Sequence, residues 1–205
     1  MLVGYCDDLG TKRTLGPFRD LIGSVGTEVA LALRDGGDQD RILAALRTEL
    51  DWQGHPTLLV VEDVHWADDA TLDALQYLAR RVAHLPTVLV LTYRDDEVSP
   101  GHPLHVLLGG ISGAGRIHRL PLGNLSAQAV RQLTTGSHLN PDRVYSVTSG
   151  NPFFVAELVS SDGDTAVPPT VVDAVLSRFG RLDGSTQDAV RQLAVIPSTV
   201  DRWVA

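Results

Sequence analysis

The apolar residues of this chain follow two rhythms. At residues 58–61 and 87–92 they run together without alternation, the pattern of a parallel strand buried on both faces. Between these runs Leu72, Leu75, Leu78, Ala79 and Val82 return every three or four positions, predicting an amphipathic helix capped by Asp68 or Asp69. Strand, helix, strand at this spacing is a βαβ unit and implies a parallel sheet. Residues 1–5 read as a further short strand, and residues 116–122 as the last strand of the sheet.

The helical rhythm recurs elsewhere. Phe18, Leu21, Ile22, Val25, Val29 and Leu33 predict one helix with Pro17 in its first turn, weakened by Gly26 and ended by Asp35-Gly36-Gly37. Ile42, Leu43, Leu46 and Leu50 predict a second helix over residues 39–50, and residues 97–115 read as an exposed connection with one helical turn near Leu104. From Ser126, a good N-cap, the pattern is helical only. Ala129, Val130 and Leu133 share a face, Pro141 opens a helix that Gly150 ends, and Pro152 opens another. A polar linker over residues 160–169 follows, then two more helices marked by Val171, Val172, Val175, Leu176 and Phe179, and by Val190, Leu193, Ala194 and Ile196.

Composition narrows the function classes. A chain of 205 residues supports one sizeable core and a small appendage. Its net charge of −8 argues against a nucleic-acid-binding surface, so no direct DNA binding is expected. The single cysteine, Cys6, can form no intramolecular disulfide and reads as a small buried hydrophobe in a reducing compartment. No apolar run approaches the roughly 18 residues of a membrane helix, and no signal-peptide pattern opens the chain, so the expectation is cytoplasmic, with no membrane partner. His102 and His105 have no acid or thiol beside them in metal-ligand spacing, and no metal site is expected there.

The candidate chemistry gathers where the first apolar run stops. Residues 58–61 end in Glu62 and Asp63, followed by His65 and Trp66. Carboxylates at the carboxyl end of a parallel strand sit where open α/β sheets bind ligands, and hard oxygen donors suit Mg²⁺. That is the layout of a Walker B site, in which one acid helps hold Mg²⁺ and a neighbour positions water. The bland reading is that Asp63, like Asp68, caps the next helix or loop. At the end of the second run come Thr92, Tyr93, Arg94 and Asp95, and adjacent parallel strands bring such residues beside Glu62 and Asp63. Arg94 reads either as a group facing a ligand or as an internal ion pair with Glu62, Asp63 or Asp95. A Walker A loop, G-x-x-x-x-G-K-[ST], needs a lysine after its glycines. The one lysine, Lys12, lies in Gly10-Thr11-Lys12-Arg13 and does not fit.

Three stretches together, VVEDVHWADDATLDAL from Val60, VLVLTYRDDE from Val88 and SGNPFFVAELV from Ser149, resemble the ATPase module of the large LuxR-type regulators, members of the STAND class of signalling P-loop NTPases. The resemblance covers nearly the whole chain and implies a P-loop NTPase-like α/β core at residues 1–124 that lacks its first strand and P-loop. It further implies a helical lid at 125–162 and the start of a winged-helix-like domain at 163–205. By the same resemblance, Glu62 and Asp63 are the catalytic and Mg²⁺-holding acids, Arg94 is a sensor of the γ-phosphate, and Gly150, Asn151 and Pro152 approach the adenine. Mg·ATP or Mg·ADP is then the implied cofactor, held weakly or not at all by this chain alone.

The implied sheet order is 5-1-4-3-2, with the absent first strand between the strands at Val88 and Ile117, so either the Ile117 strand closes up against the Val88 strand or an exposed edge remains that a protein partner or a second copy could fill. The leading expectation is a fragment or degenerate copy of a STAND-type regulatory ATPase, inactive alone. The alternatives are a working ATPase whose Walker A loop lies upstream of Met1, and an unrelated α/β enzyme using Asp63 and His65 as acid and base.

Overall fold

Three strands, β1 (Leu2–Tyr5), β2 (Thr57–Glu62) and β3 (Thr87–Leu91), pair in parallel in the order β1-β2-β3. They belong to a computed structural model that describes residues 1–36, 38–51, 54–112, 117–161 and 168–196. The chain divides into two compact units, Met1–Arg119 and Leu120–Ala205, and the sheet lies in the first.

β1 is joined to β2 through α1 (Gly16–Arg19), α2 (Thr27–Arg34) and α3 (Gln39–Leu50); β2 is joined to β3 through α4 (Asp69–Ala79), and α5 (Leu104–Ile111) follows β3. Each strand is added on the same side of the one before it. Right-handed crossovers therefore carry both connections over one face of the sheet. The register agrees, because Leu2, Leu59 and Leu89 align across the strands, as do Gly4, Val61 and Leu91. Apart from Gly4 these side chains join one hydrophobic cluster with Phe18, Leu33, Leu46, Leu75 and Leu104 from the helices. Gly4 is required at its place, since a Cβ there would lie 2.1 Å from the carbonyl oxygen of Pro17.

The opposite face carries Val3, Tyr5, Leu58, Val60, Val88 and Val90, none of which joins that cluster. Tyr5 is 54% exposed and Val88 60%. β3 thus alternates between half-buried and exposed positions rather than being buried on both sides as its apolar run predicts. Its far edge has no strand neighbour among the described residues. The strand expected at residues 116–122 is likewise not formed: residues 117–122 have no regular structure, with Leu120 and Leu122 exposed, and Arg116 lies outside the described residues. Pro121 interrupts that segment, and a proline cannot donate to a strand ladder.

The single helix expected after Pro17 is two. Gly23 adopts φ +136°, a conformation closed to other residues, and the chain turns there before α2 begins behind Gly26. The helix over residues 39–50 and the stripe of Leu72, Leu75, Leu78 and Ala79 on α4 form as the spacing predicts. The turn near Leu104 extends to a full helix, α5.

The second unit is helical: α6 (Ala127–Leu133), α7 (Pro141–Thr148), α8 (Pro152–Ser160), α9 (Pro169–Gly180) and α10 (Gly184–Leu193). Ser126, Asn140, Asn151 and Asp183 cap their helices by accepting backbone N–H bonds, which satisfies donors that a helix start leaves free. Val130, Val144 and Val155 form its small core. Most of the polar linker, residues 162–167, lies outside the described residues.

Candidate functional site at the carboxyl ends of β2 and β3

The β2–β3 ladder continues one step past β3, with Thr92 N–H donating to Val61 O at 3.1 Å and Val64 N–H to Thr92 O at 2.9 Å. This sets Thr92 beside the two acids. Its hydroxyl donates to Glu62 Oε2 and accepts from the Asp63 N–H at 3.0 Å. Asp63 sits at φ 55°, in the left-handed region, a conformation that costs a non-glycine residue about 1 kcal/mol but which aspartate tolerates better than most. The kink turns the chain out of β2 and starts a 3-10 turn at Val64–Trp66. The Asp63 side chain is left 40% exposed while that of His65 is 1% exposed.

His65 is the wedge beneath this corner. The Arg94 N–H donates to His65 Nδ1 at 3.4 Å, so the neutral ring carries its proton on Nε2. Nε2 lies 3.4 Å from Glu97 Oε2 but is buried without a well-formed hydrogen bond. Burial lowers the pKa of His65 from its ordinary 6.5, outweighing the opposite pull of Glu97 and Asp63. A ring this enclosed does not reach a substrate, which removes the support for Asp63 and His65 as an acid and base pair.

Arg94 comes to the site, but its partner is none of the three acids proposed for it. Its guanidinium lies 3.3 Å from Glu97 Oε1, because the single 3-10 turn at Asp95–Glu97 brings the residue three places on back beneath it. Glu97 Oε2 also accepts from Trp66 Nε1 at 3.2 Å. Thr92 was visible in the sequence as a polar residue at a strand end; Glu97 carried no signal beyond lying in an acidic run.

A shallow pocket opens at the carboxyl ends of β1 and β2, lined by Tyr5, Cys6, Lys12, Trp66 and Asp68 among others. Lys12 Nζ donates to Ala67 O at 2.8 Å, tying the loop after β1 to the loop after β2. Burial, helped by Asp68, Asp63 and Asp7, pushes the Cys6 thiol up to about 12, so it is no nucleophile at neutral pH.

Gly150, Asn151 and Pro152 belong to the second unit. Gly150 has φ +73°, and a Cβ on it would lie 2.1 Å from Leu125 O. Asn151 accepts from Phe153 N–H at 3.0 Å and Phe154 N–H at 3.4 Å, and Pro152 takes the first position of α8. Within this unit Asn151 and Pro152 start α8, and Gly150 makes the turn that leads into it from α7.

The acids fit Mg²⁺ in chemistry. Asp63 offers an exposed hard oxygen, and Glu62 a second one beside the Thr92 hydroxyl. Mg²⁺ takes one or two protein carboxylates and fills its shell with water and phosphate oxygens; among the described residues no cluster of three or more acids, histidines or thiols occurs.

Residues 2–91 match a family model described as an AAA ATPase domain. The match spans β1 to β3 with Glu62 and Asp63, covers less than half of the chain and stops short of Arg94. It supports an ATPase-type module built on a mixed α/β fold. No curated protein and no solved structure matches the chain.

Proposed function

We propose that this chain is a regulatory ATPase module of the STAND class, related to those of the large LuxR-type regulators, and holds the Walker B half of a nucleotide site. The observation that carries the reading is the Glu62–Thr92–Asp63 cluster at the neighbouring carboxyl ends of two parallel strands. Similarity of residues 2–91 to an AAA ATPase domain supports it independently. Asp63 and Glu62 would hold Mg²⁺, which when bound neutralises phosphate charge. Thr92 orients the Glu62 carboxylate and fixes the Asp63 backbone. Gly150, Asn151 and Pro152 are the residues we assign to the adenine side, in a helical lid followed at α9 and α10 by the start of a winged-helix-like domain.

No G-x-x-x-x-G-K-[ST] stretch occurs in the chain. Three charge-assisted bonds that such a loop supplies are worth about 5 kcal/mol or more together, enough to move a micromolar nucleotide to millimolar. The chain alone is therefore a weak binder that does not turn over ATP. The edge of β3 that has no strand neighbour among the described residues, and the face carrying the exposed Val88 and Val90, support a protein partner or second copy adding a strand.

Calorimetric titration with Mg·ATP and Mg·ADP tests this. The expected result is millimolar binding that disappears in a Glu62→Ala/Asp63→Ala double variant. Micromolar binding lost in the variant would mean a working ATPase site, and no variant-sensitive heat up to roughly 10 mM, a limit of about 2.7 kcal/mol, would sink the nucleotide reading.

A further inference from the structure

Glu62 and Asp63 have no lysine or arginine within salt-bridge distance among the described residues. Arg94, at the carboxyl end of β3, is instead engaged by a third carboxylate. Glu97 is anchored on one oxygen and engages the arginine with the other: Oε2 accepts from Trp66 Nε1 at 3.2 Å and faces His65 Nε2, while Oε1 accepts from Arg94 Nη1 at 3.3 Å. The two ends of this ion pair differ in freedom. The Glu97 side chain is 24% exposed and the Arg94 side chain 42%, and the Arg94 backbone is fixed through its N–H on His65 Nδ1.

We propose that Glu97 is a positioning residue that holds the Arg94 guanidinium in reserve, and that a polyphosphate arriving with Mg²⁺ at Glu62 and Asp63 takes Arg94 from it. The proposal rests on the nucleotide reading above and adds its regulation. The charges argue for it. Two unneutralised acids accept the metal of a metal–anion complex and repel a bare anion, so the cation for the anion must be close but not spent on the acids. A one-armed, partly exposed carboxylate pair is worth little in water, whereas phosphate oxygens take two guanidinium N–H bonds at once. Glu97 does not follow when Arg94 leaves, because Trp66 keeps its other oxygen.

The test uses the full chain and Glu97→Gln, which retains an acceptor for Trp66 and removes the charge. Phenylglyoxal labelling, mapped to Arg94 by peptide analysis, reads the pair without needing a nucleotide; a urea midpoint matching that of the native chain checks that the variant stays folded. Labelling of Arg94 is expected to be about 3- to 5-fold faster in Glu97→Gln, the span of a pair at the upper end of the exposed range. Mg·ADP or Mg·tripolyphosphate should protect Arg94 in both proteins, and Mg·ADP should bind Glu97→Gln tighter by a similar factor. That gain should vanish in Glu97→Gln/Arg94→Met. An unchanged labelling rate overturns the proposal, as does a gain in affinity that survives loss of Arg94. Absent protection alongside Mg·ADP binding that still depends on Glu62 and Asp63 overturns this proposal alone. Absent protection with no such binding overturns the nucleotide reading as well.

Discussion

His65 shows how one enclosed side chain writes itself into the stability of the fold. Its pKa lies below the ordinary 6.5 because burial disfavours the charged ring more than Glu97 and Asp63 favour it. The unfolded chain therefore binds this proton more readily than the folded one. The stabilising contribution is complete above pH 6.5 and is lost as pH falls below that value toward the folded pKa. Urea midpoints measured from about pH 7 down to about pH 5 should fall in the native protein, and fall less steeply in His65→Gln, which cannot titrate. Equal slopes would mean the ring is not held neutral. Gly150 makes a second residue-scale case. Any side chain there must adopt φ +73° and meet Leu125 O, so Gly150→Ala should cost the second unit more than about 2 kcal/mol. Its helical signal at 222 nm would be lost at lower urea than in the native chain; an unchanged profile would show that the backbone yields there.

At the scale of the element, Asp68 separates what the sequence makes legible from what it does not. It is the one of the two residues offered by the pattern, Asp68 or Asp69, that occupies the N-cap of α4, but its carboxylate accepts no N–H bond from α4. It accepts from Leu15 N–H at 3.2 and 3.4 Å and from the Thr71 hydroxyl, locking the loop before α1 onto the start of α4. A cap position is local and visible in the sequence; the partner it chooses lies 53 residues away and is not. Asp68→Ala should cost about 1–3 kcal/mol by leaving the Leu15 N–H without its acceptor. Asp68→Asn, which keeps an oxygen there, should cost less in the same chemical-denaturation experiment. If both variants cost the same, the charge and not the acceptor is what matters. The same distinction runs through the other elements. α3 and the α4 stripe were readable because their spacing is local, and Glu62, Asp63 and Thr92 because strand ends fall where apolar runs stop. The break between α1 and α2 turns on the backbone of Gly23, which the apolar spacing overrides when read alone. Glu97 was missed because only the turn after β3 brings it under Arg94 and Trp66.

On the scale of the whole sheet, burial depends on strand order, which an apolar run does not encode. β3 reads as doubly buried, yet three parallel strands added in sequence send both crossovers over one face, and Val88 and Val90 on the other face are 60% and 38% exposed. The two faces should therefore answer substitution differently. Leu59 is 1% exposed within the cluster that joins strands to helices, and Leu59→Ala should cost about 2–5 kcal/mol through lost burial and the cavity left behind. Val88→Thr, on the same sheet and the neighbouring strand, removes little buried surface and keeps a β-branched side chain, so its cost should stay within about 0.5 kcal/mol. Urea unfolding followed by circular dichroism compares the two directly. A Val88→Thr cost close to that of Leu59→Ala would mean that the open face is covered in solution, by a second copy or by another segment. Lowering the protein concentration then separates those two, because only a covering second copy dissociates on dilution and takes its stabilisation with it.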